Sequence, residues 1–510
     1  MPETGARRLA VIDLGSNTFR LVVFSAEESG SWWRRTDEIF EPVRISAGMG
    51  DSNQLQPAPM ERALHTIEAY DHFCRASGLG PHDVQAVATS AIRDADNREE
   101  FLARASAISE VPVRVLTREE EARYGYLAAV NSTTLADGAV LDLGGGSLQL
   151  IVVREQAATH VGSWPLGAVR MTERFLPDKK ASKKQLKALR AHVRDTLADA
   201  PWLAGRGDRL VGIGGTARNL AAALQREADL PSLGVQGFLI ERDALSELVT
   251  ELADMTAARR GEVPGVKPAR GDVILAGAAV IEAVLELGEF PALEVTEAGL
   301  REGIFFDAHL APRDPPVFDD VRRASVCNLA AQYHVDQPHV DHVARLTLEM
   351  FDALAHQEVI DGDRDERELL WAASMLHDIG MTVDYDDHHK HSRYLILNAG
   401  LPGFSPRELA LVAQMARYHR KGSPSFGELE PMMGKGDDAR LARGAALLRL
   451  AEQLERARDQ LVREVRVDTH DGRVSLELVH TGDASVAFWA AERQAELFEE
   501  AFGRGLEISA

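Results

Sequence analysis

The chain of 510 residues has few cysteines and no long apolar segment. Cys74 and Cys327 are its two cysteines, and their spacing excludes a disulfide framework and a zinc knuckle. The longest apolar run, residues 273–281, is well short of the roughly 20 residues that a membrane helix needs. The first ten residues lack the apolar core of a signal peptide. We therefore expect a cytoplasmic protein with no membrane partner.

Basic residues are in the minority: 57 Lys and Arg stand against 79 Asp and Glu, so the formal net charge is −22. This balance argues against a general nucleic-acid binder, which needs a basic surface. It does not exclude a phosphate substrate, because backbone amides bind anions without net positive charge. The sequence also has no Gly-x4-Gly-Lys-Ser/Thr loop, which excludes the P-loop mechanism.

The length predicts about three domains, at about 100 to 200 residues each. Alternating strand and helix patterns extend to about residue 310, and a strongly helical pattern begins near residue 317. The predicted segments are 1–126, 127–310, 317–462 and a small cap of mixed strand and helix at 463–510.

An internal repeat is the most informative feature present. Residues 9–24, LAVIDLGSNTFRLVVF, align with 138–153, GAVLDLGGGSLQLIVV, so that Asp13 matches Asp142 and Arg20 matches Gln149. Each copy predicts a β-hairpin with an acidic, glycine-bearing turn. A further strand at residues 43–46, VRIS, and a helix at 58–77 are expected after the first copy. Two similar α/β domains that face each other across a cleft are the simplest architecture.

The turns of the repeat are suited to anions, because glycine lets backbone N–H groups approach a ligand with no Cβ in the way. A third loop has the same composition and lies between a predicted strand and a helix N-terminus. The predicted phosphate-binding residues of the three loops are Gly15, Ser16, Asn17; Gly144, Gly145, Gly146, Ser147; and Gly214, Gly215, Thr216.

Charged residues near these loops complete the candidate site. Asp13 and Asp142 end equivalent strands and could hold Mg²⁺, or Mn²⁺, directly or through its waters. Arg20 and Arg93 are candidate phosphate ligands, because a guanidinium can bind two phosphate oxygens at once. A surface ion pair is the alternative role for each arginine.

Several motifs occur together in order: the two hairpins, then ATSAIRDADNREEFL (88–102), REEEARYGY (118–126), GIGGTARNLA (212–221) and EAGLREGIF (297–305). With these motifs the chain resembles the exopolyphosphatase and guanosine pentaphosphate phosphohydrolase (Ppx/GppA) family over residues 9 to about 310. The resemblance implies two actin-like, RNase H-like domains flanking a cleft, a divalent metal, and a homodimer. It also implies that Glu121, directly before Ala122, is the base that orients the attacking water.

The histidine-rich third of the chain carries a second resemblance. SMLHDIG (374–380) and HHKHSRYLILN (388–398) resemble an HD-type helical domain. This implies a metal-ligand set of His342, His377, Asp378 and Glu452, where the HD pattern has aspartate at the last position. Because glutamate is one methylene longer, we expect a structural or substrate-channel domain without catalytic metal.

Gln149 stands where the family motif has glutamate. Glutamine cannot supply charge to a metal, so we predict that it holds a water or a phosphate oxygen. The expected activity is release of orthophosphate from inorganic polyphosphate. Alternatives left open are guanosine pentaphosphate as substrate, an HD-type nucleotide phosphohydrolase, and a polyphosphate or alarmone sensor without catalysis.

Overall fold

The computed structural model describes residues 6–205 and 207–509. The chain divides into two compact units, one ending at Val321 and the other beginning at Arg322.

The first unit alternates strands and helices. Its strands are β1 (Ala6–Leu14), β2 (Phe19–Glu27), β3 (Trp33–Glu41), β4 (Val84–Ala88), β5 (Val113–Val115), β6 (Gly138–Leu143), β7 (Leu148–Arg154), β8 (Ala157–Trp164), β9 (Leu210–Ile213), β10 (Phe238–Glu241) and β11 (Ala292–Val295). Its helices are α1 (Pro57–Ala76), α2 (Ser90–Arg93), α3 (Arg98–Ser106), α4 (Arg118–Val130), α5 (Ala168–Phe175), α6 (Lys183–Leu197), α7 (Gly215–Glu227), α8 (Arg242–Asp254), α9 (Ala257–Arg260), α10 (Ile274–Gly288) and α11 (Leu300–His309).

Two sheets of matching topology organise this unit, with strand orders β3-β2-β1-β4-β5 and β10-β11-β9-β6-β7-β8. In each, three antiparallel strands are followed by strands parallel to the first of them, and the second sheet ends with β10, which is antiparallel to β11. Asp13 pairs with Arg20 in the first hairpin, and Asp142 pairs with Gln149 in the second. The central strands are buried on both faces because helices cover both sides. The predicted pair of actin-like domains is confirmed.

The third strand of the first sheet is not at VRIS, and that prediction was wrong. β3 begins at Trp33, pairs with β2 and leaves most of its side chains exposed. Val43 and Ile45 are buried, but they reach the core from the loop after β3. An edge strand with polar residues on both faces lacks the alternation that marks a half-buried strand.

Helices α4 and α11 connect the two halves of the unit. α4 packs on the second sheet, whereas α11 packs on β1 and stacks Phe305 on Phe24, with ring centroids 4.5 Å apart. The two helices touch backbone to backbone, because Gly303 of α11 places no side chain against the carbonyl of Tyr124 in α4. The predicted segment boundary at residue 126 falls inside α4.

The second unit is mainly helical. Its helices are α12 (Val321–Gln332), α13 (Gln337–His356), α14 (Arg364–Leu376), α15 (His388–Ala399), α16 (Pro406–Tyr418), α17 (Asp437–Leu454), α18 (Ser485–Glu492) and α19 (Ala495–Phe502). Its strands are β12 (Val462–His470), β13 (Arg473–His480) and β14 (Gly505–Ser509), and β14 adds in parallel to the hairpin expected from the sequence. Within the described ranges, no helix has the length and apolar character needed to cross a membrane.

Candidate active site

A cavity of about 130 Å³ lies where the turns of the two repeated hairpins meet the loop after β9. The loop after β9 turns at Gly214, whose φ of 105° is readily adopted by glycine. It then begins α7, so that the helix N-terminus faces the cavity. The predicted site residues that line the cavity are Asp13, Gly15, Ser16, Asn17, Arg20, Glu121, Asp142, Gly144, Gly145, Gly214 and Gly215.

Five predicted phosphate ligands lie outside this lining: Arg93, Gly146, Ser147, Gln149 and Thr216. Ser147 and Gln149 bond to each other, because the Gln149 Nε2 donates to the Ser147 Oγ at 2.9 Å. Gln149 is 1% exposed, and its side chain is therefore held behind the turn. Thr216 is buried against Gly277 of α10.

The third glycine of the second turn has a packing role. A Cβ on Gly146 would collide with the Ser90 Oγ and crowd the Ser16 Oγ, and these two hydroxyls are themselves 3.0 Å apart. Gly144 has only one distant neighbour at that position, the Ser147 carbonyl at 3.5 Å. Gly146 therefore permits the contact between loops from the two domains, while Gly144 and Gly145 border the cavity.

Glu121 is positioned by the start of α4. The Thr117 hydroxyl accepts the Glu120 N–H, and the Glu120 carboxylate accepts the Thr117 N–H, which fixes the first turn. Arg93 then donates from Nη1 to the Glu121 Oε2 at 2.6 Å. Arg93 also donates to the Leu116 carbonyl at 3.2 Å. The contacts of Arg93 therefore orient the Glu121 carboxylate, and Arg93 does not line the cavity in which a phosphate would bind.

Three carboxylates share the site, Glu121 buried and Asp13 and Asp142 partly buried, and desolvation raises the pKa of each. The pKa of Asp142 reaches about 7, first through burial and then through repulsion from Glu121 and Asp13. Arg301, with its Nη1 3.7 Å from the Asp13 Oδ2, partly offsets the burial of Asp13. A divalent cation would relieve the repulsion among these carboxylates, and Asp13 with Asp142 would hold it. Mg²⁺ usually keeps waters and substrate oxygens as its other ligands.

Sequence reasoning missed three arginines that line the cavity: Arg218, Arg270 and Arg301. Burial, followed by repulsion from Arg301 and Arg20, lowers the pKa of Arg218 to about 10. Arginines that repel one another in the empty cavity are stabilised when an anion such as phosphate binds between them. Arg218 and Arg301 stand inside motifs already noted, GIGGTARNLA and EAGLREGIF, which was the available signal. Arg270 has no comparable local signal.

A second cavity, of about 510 Å³, adjoins the first and shares Arg20, Arg218 and Arg270 with it. Arg44 and Lys267 add two further cations to its lining. Its other lining residues are Asn17, Thr18, Phe40, Pro42, Gly215, Asn219, Ala222, Gly265, Pro268 and Ala269. Five cations therefore line the second cavity, and two of them, Arg20 and Arg44, also pair with Glu38 and Asp272.

Residues 34–311 match the model of the Ppx/GppA phosphatase family, and residues 321–485 match that of Ppx/GppA phosphatase domain III. The chain belongs to the Ppx/GppA phosphatase family. Among solved structures, a family member from Aquifex aeolicus is 27% identical with a TM-score of 0.51, covering 59% of this chain and 96% of its own. An exopolyphosphatase-like protein is 25% identical with a TM-score of 0.55, covering 60% and 98%.

The same fold occurs in an exopolyphosphatase from Cytophaga hutchinsonii. That structure is 22% identical with a TM-score of 0.55 and covers 59% of this chain and 97% of its own. The chain is thus a member of a phosphatase family, and the two sheets of the first unit are its actin-like core.

The ligand set predicted for the second unit from the HD-type resemblance is brought together except for one residue. His377, Asp378 and Glu452 lie together, but His339 rather than His342 joins them. The His342 Nε2 lies 2.9 Å from the Val462 carbonyl oxygen. The two histidines are three positions apart on α13, so the motif could be matched at either, and the helix orientation selects His339.

Proposed function

We propose that the protein is an exopolyphosphatase that releases terminal orthophosphate from inorganic polyphosphate. The observation that carries this proposal is the Glu121 carboxylate. Arg93 holds it at the wall of a cavity lined by glycine loops and arginines. Phosphoanhydride hydrolysis requires a general base, hydrogen-bond donors for the phosphate oxygens, and carboxylates that can hold a metal cation.

Binding of the terminal phosphate falls to the loops and the cleft arginines. The N–H groups of Gly15 and Gly144 donate to the Thr18 and Ser147 carbonyls within their turns. The backbone N–H groups that follow them, and that of Gly215, can donate to phosphate oxygens without obstruction by side chains. Arg218 and Arg301 supply charge to the same cavity. Gly215 also leaves room for Arg270, since a Cβ there would lie 2.5 Å from the Arg270 Nη2.

Glu121 acts on water. Its carboxylate accepts a proton as the water oxygen forms a bond to the terminal phosphorus, and the bond to the bridging oxygen breaks. Orthophosphate and a chain shortened by one phosphate are the products. Burial raises the pKa of Glu121, which brings the base closer to neutral pH. Mg²⁺ or Mn²⁺ at Asp13 and Asp142 would neutralise charge on the phosphate oxygens.

The second cavity supports a polymeric anion as substrate. The lining includes Arg20, Arg44 and Lys267, and several cations in one cavity attract an anion with several charges. Guanosine pentaphosphate is the second candidate, and one observation favours it: the Phe40 ring in the same cavity is 41% exposed and could stack on a base.

The test measures orthophosphate release from long-chain polyphosphate and from guanosine pentaphosphate, side by side, with and without Mg²⁺. Glu121→Gln should abolish release, whereas Glu119→Gln on the exposed side of the same turn should retain it. Phe40→Leu should impair only the guanosine pentaphosphate reaction, if that reaction occurs. Full activity of a folded Glu121→Gln variant, or no release from polyphosphate by the wild type, would overturn the proposal.

A further inference from the structure

A third cavity, of about 670 Å³, adjoins the first cavity at the turns of the two repeated hairpins. Ser16 and Gly145 line both of these cavities. The other walls of the third cavity come from the loop at residues 46–53 and from the first two turns of α5. Among the described residues, none lines both the second and the third cavity. The first cavity therefore has two neighbours, which adjoin it at different residues.

The outer end of the third cavity is open to solvent. The lining residues at this end are exposed: Gly50, Asn53, Pro165, Glu173 and Arg174. Ser16 and Gly146 line its inner end and are buried. A path from bulk water therefore ends at the turns that border the first cavity.

The partition between the first and third cavities is a single layer of small groups. Ser90 lines the first cavity, and its Oγ lies 3.0 Å from the Ser16 Oγ. Gly146 lies against these two hydroxyls, because a Cβ at Gly146 would collide with the Ser90 Oγ. Two hydroxyl groups and a glycine backbone thus separate the two spaces.

The two sides of this partition belong to different sheets. Ser16 follows β1, and Ser90 follows β4 of the same sheet. Gly146 follows β6 of the second sheet, and the Val169 N–H at the start of α5 donates to the neighbouring Gly145 carbonyl at 2.9 Å. The glycine turn therefore moves with α5, and a small rotation of one sheet relative to the other would open the layer.

The third cavity carries less positive charge than the second. Arg170 and Arg174 line it together with Glu173. Arg170 is also paired with Asp94, since its Nη2 lies 3.2 Å from the Asp94 Oδ2. Five cations line the second cavity. The second cavity is therefore suited to retaining a polyanion, whereas the third attracts a small anion without holding it tightly.

Removal of the terminal phosphate leaves two products in the cleft. The shortened polymer still lies among the five cations of the second cavity, and orthophosphate lies beyond its new end. Orthophosphate that left by the second cavity would have to wait until the polymer dissociated. A separate exit makes its release independent of the polymer.

We propose that orthophosphate leaves the cleft through the third cavity, between Ser16, Ser90 and Gly146, while the shortened polymer remains in the second cavity. This inference rests on the proposed function. The two serine hydroxyls exchange their mutual hydrogen bond for bonds to phosphate oxygens as the ion passes, because a hydroxyl both donates and accepts. Arg170 and Arg174 then attract the ion towards solvent.

Two assays of one reaction test this route. Acid quenching counts all orthophosphate cleaved from long-chain polyphosphate, and a fluorescent phosphate sensor counts only the orthophosphate that has left the protein. Val169→Phe places a ring in the third cavity beside Gly145, because the valine Cγ2 lies 3.3 Å from the position of a Cβ on that glycine. We expect first-turnover cleavage at the wild-type rate, about one retained orthophosphate per site, and steady release slowed about tenfold.

Val169→Ala is the matched control, because it removes volume at the same position. Release should then keep pace with cleavage, as in the wild type. Arg44→Gln in the second cavity should raise KM for polyphosphate, again without retained orthophosphate.

Glu173→Trp narrows the third cavity one turn further along α5, from an exposed position. It becomes the decisive variant if circular dichroism shows that Val169→Phe is misfolded. Release that keeps pace with cleavage in the folded, narrowed variant would overturn the proposal, as would a loss of first-turnover cleavage equal to the loss of release. A wild type that cleaves no polyphosphate would instead contradict the proposed function, and the exit route with it.

Discussion

The cleft of the first unit and the histidine cluster of the second both bury carboxylates, but they surround them differently. Asp13 and Asp142 face arginines and backbone amides, whereas Asp378 and Glu452 face imidazole nitrogens. The first arrangement leaves room for waters and phosphate oxygens around a hard cation. The second gathers imidazole nitrogens and carboxylate oxygens that belong to the protein itself. The neighbours of a carboxylate, rather than the carboxylate, determine which kind of site it forms.

The largest expected effect separates the two sites by activity. Glu121→Gln should lower orthophosphate release from polyphosphate by about 10² to 10⁴-fold, the usual contribution of a general base. Glu452→Gln makes the same chemical change in the cluster and should leave that rate nearly unchanged. Both rates are measured at saturating Mg²⁺ on variants with wild-type circular dichroism. Equal losses would show that the two sites act together.

Arg93 tests whether the cleft uses arginine to position a base as well as to bind phosphate. Arg93→Met should lower kcat by about 10 to 100-fold, because a misplaced catalytic group is costly. Arg93 lowers the pKa of Glu121 against the effect of burial. Without it that pKa rises, so the acidic limb of the pH profile of kcat should move to higher pH. Arg93→Lys should restore part of the rate; a loss in kcat with no shift of the limb would instead indicate phosphate binding.

A substitution at Gln149 tests how a further negative charge in the cleft affects metal binding. Gln149→Glu places a buried carboxylate beside Asp142, its partner across the hairpin. A negative charge near Asp142 attracts a cation even where it is not a ligand, so the Mg²⁺ concentration for half-maximal rate should fall by about threefold. The measurement is a Mg²⁺ titration of wild type and variant. Activity that appears only in the variant would mean that the wild-type chain is a sensor.

The smallest expected effect concerns pH and the metal-free cleft. The folded pKa of Asp142 is raised to about 7 from 3.8, so folding favours its neutral form. The stability from this group is complete below about pH 4 and is lost as pH rises through 7. Mg²⁺ should therefore raise the unfolding midpoint by a few degrees more at pH 8 than at pH 5.5. Asp142→Asn should remove that difference, and its persistence would assign the effect to another group.

Short sequence patterns predicted the hairpins whose turns border the cleft. The hairpins at Asp13 and Asp142 were visible because an apolar strand, a glycine turn and a second apolar strand are contiguous in sequence. The start of α4 is equally local, because Thr117 and Glu120 cap it within one turn.

Contacts between distant segments were not predictable in this way. Arg270 reaches the cavity from a loop with no motif, and Arg93 meets Glu121 across 28 positions of sequence. The choice of His339 over His342 depends on the rotation of α13 about its axis, which packing determines. The alternating apolar residues of VRIS predicted a strand. Val43 and Ile45 are indeed buried, but they lie in a loop.

The contact between Gly303 and the Tyr124 carbonyl fixes the distance between α11 and α4, the helices that carry Arg301 and Glu121. Glu121 lies one turn before Tyr124 on α4, and Arg301 lies two residues before Gly303 on α11. A single methyl group at Gly303 would wedge the two helices apart. The general base and a phosphate-binding cation would then be displaced in opposite directions, although neither had been altered. The alignment of the reacting groups thus depends on the absence of a side chain at Gly303, a residue that touches no substrate.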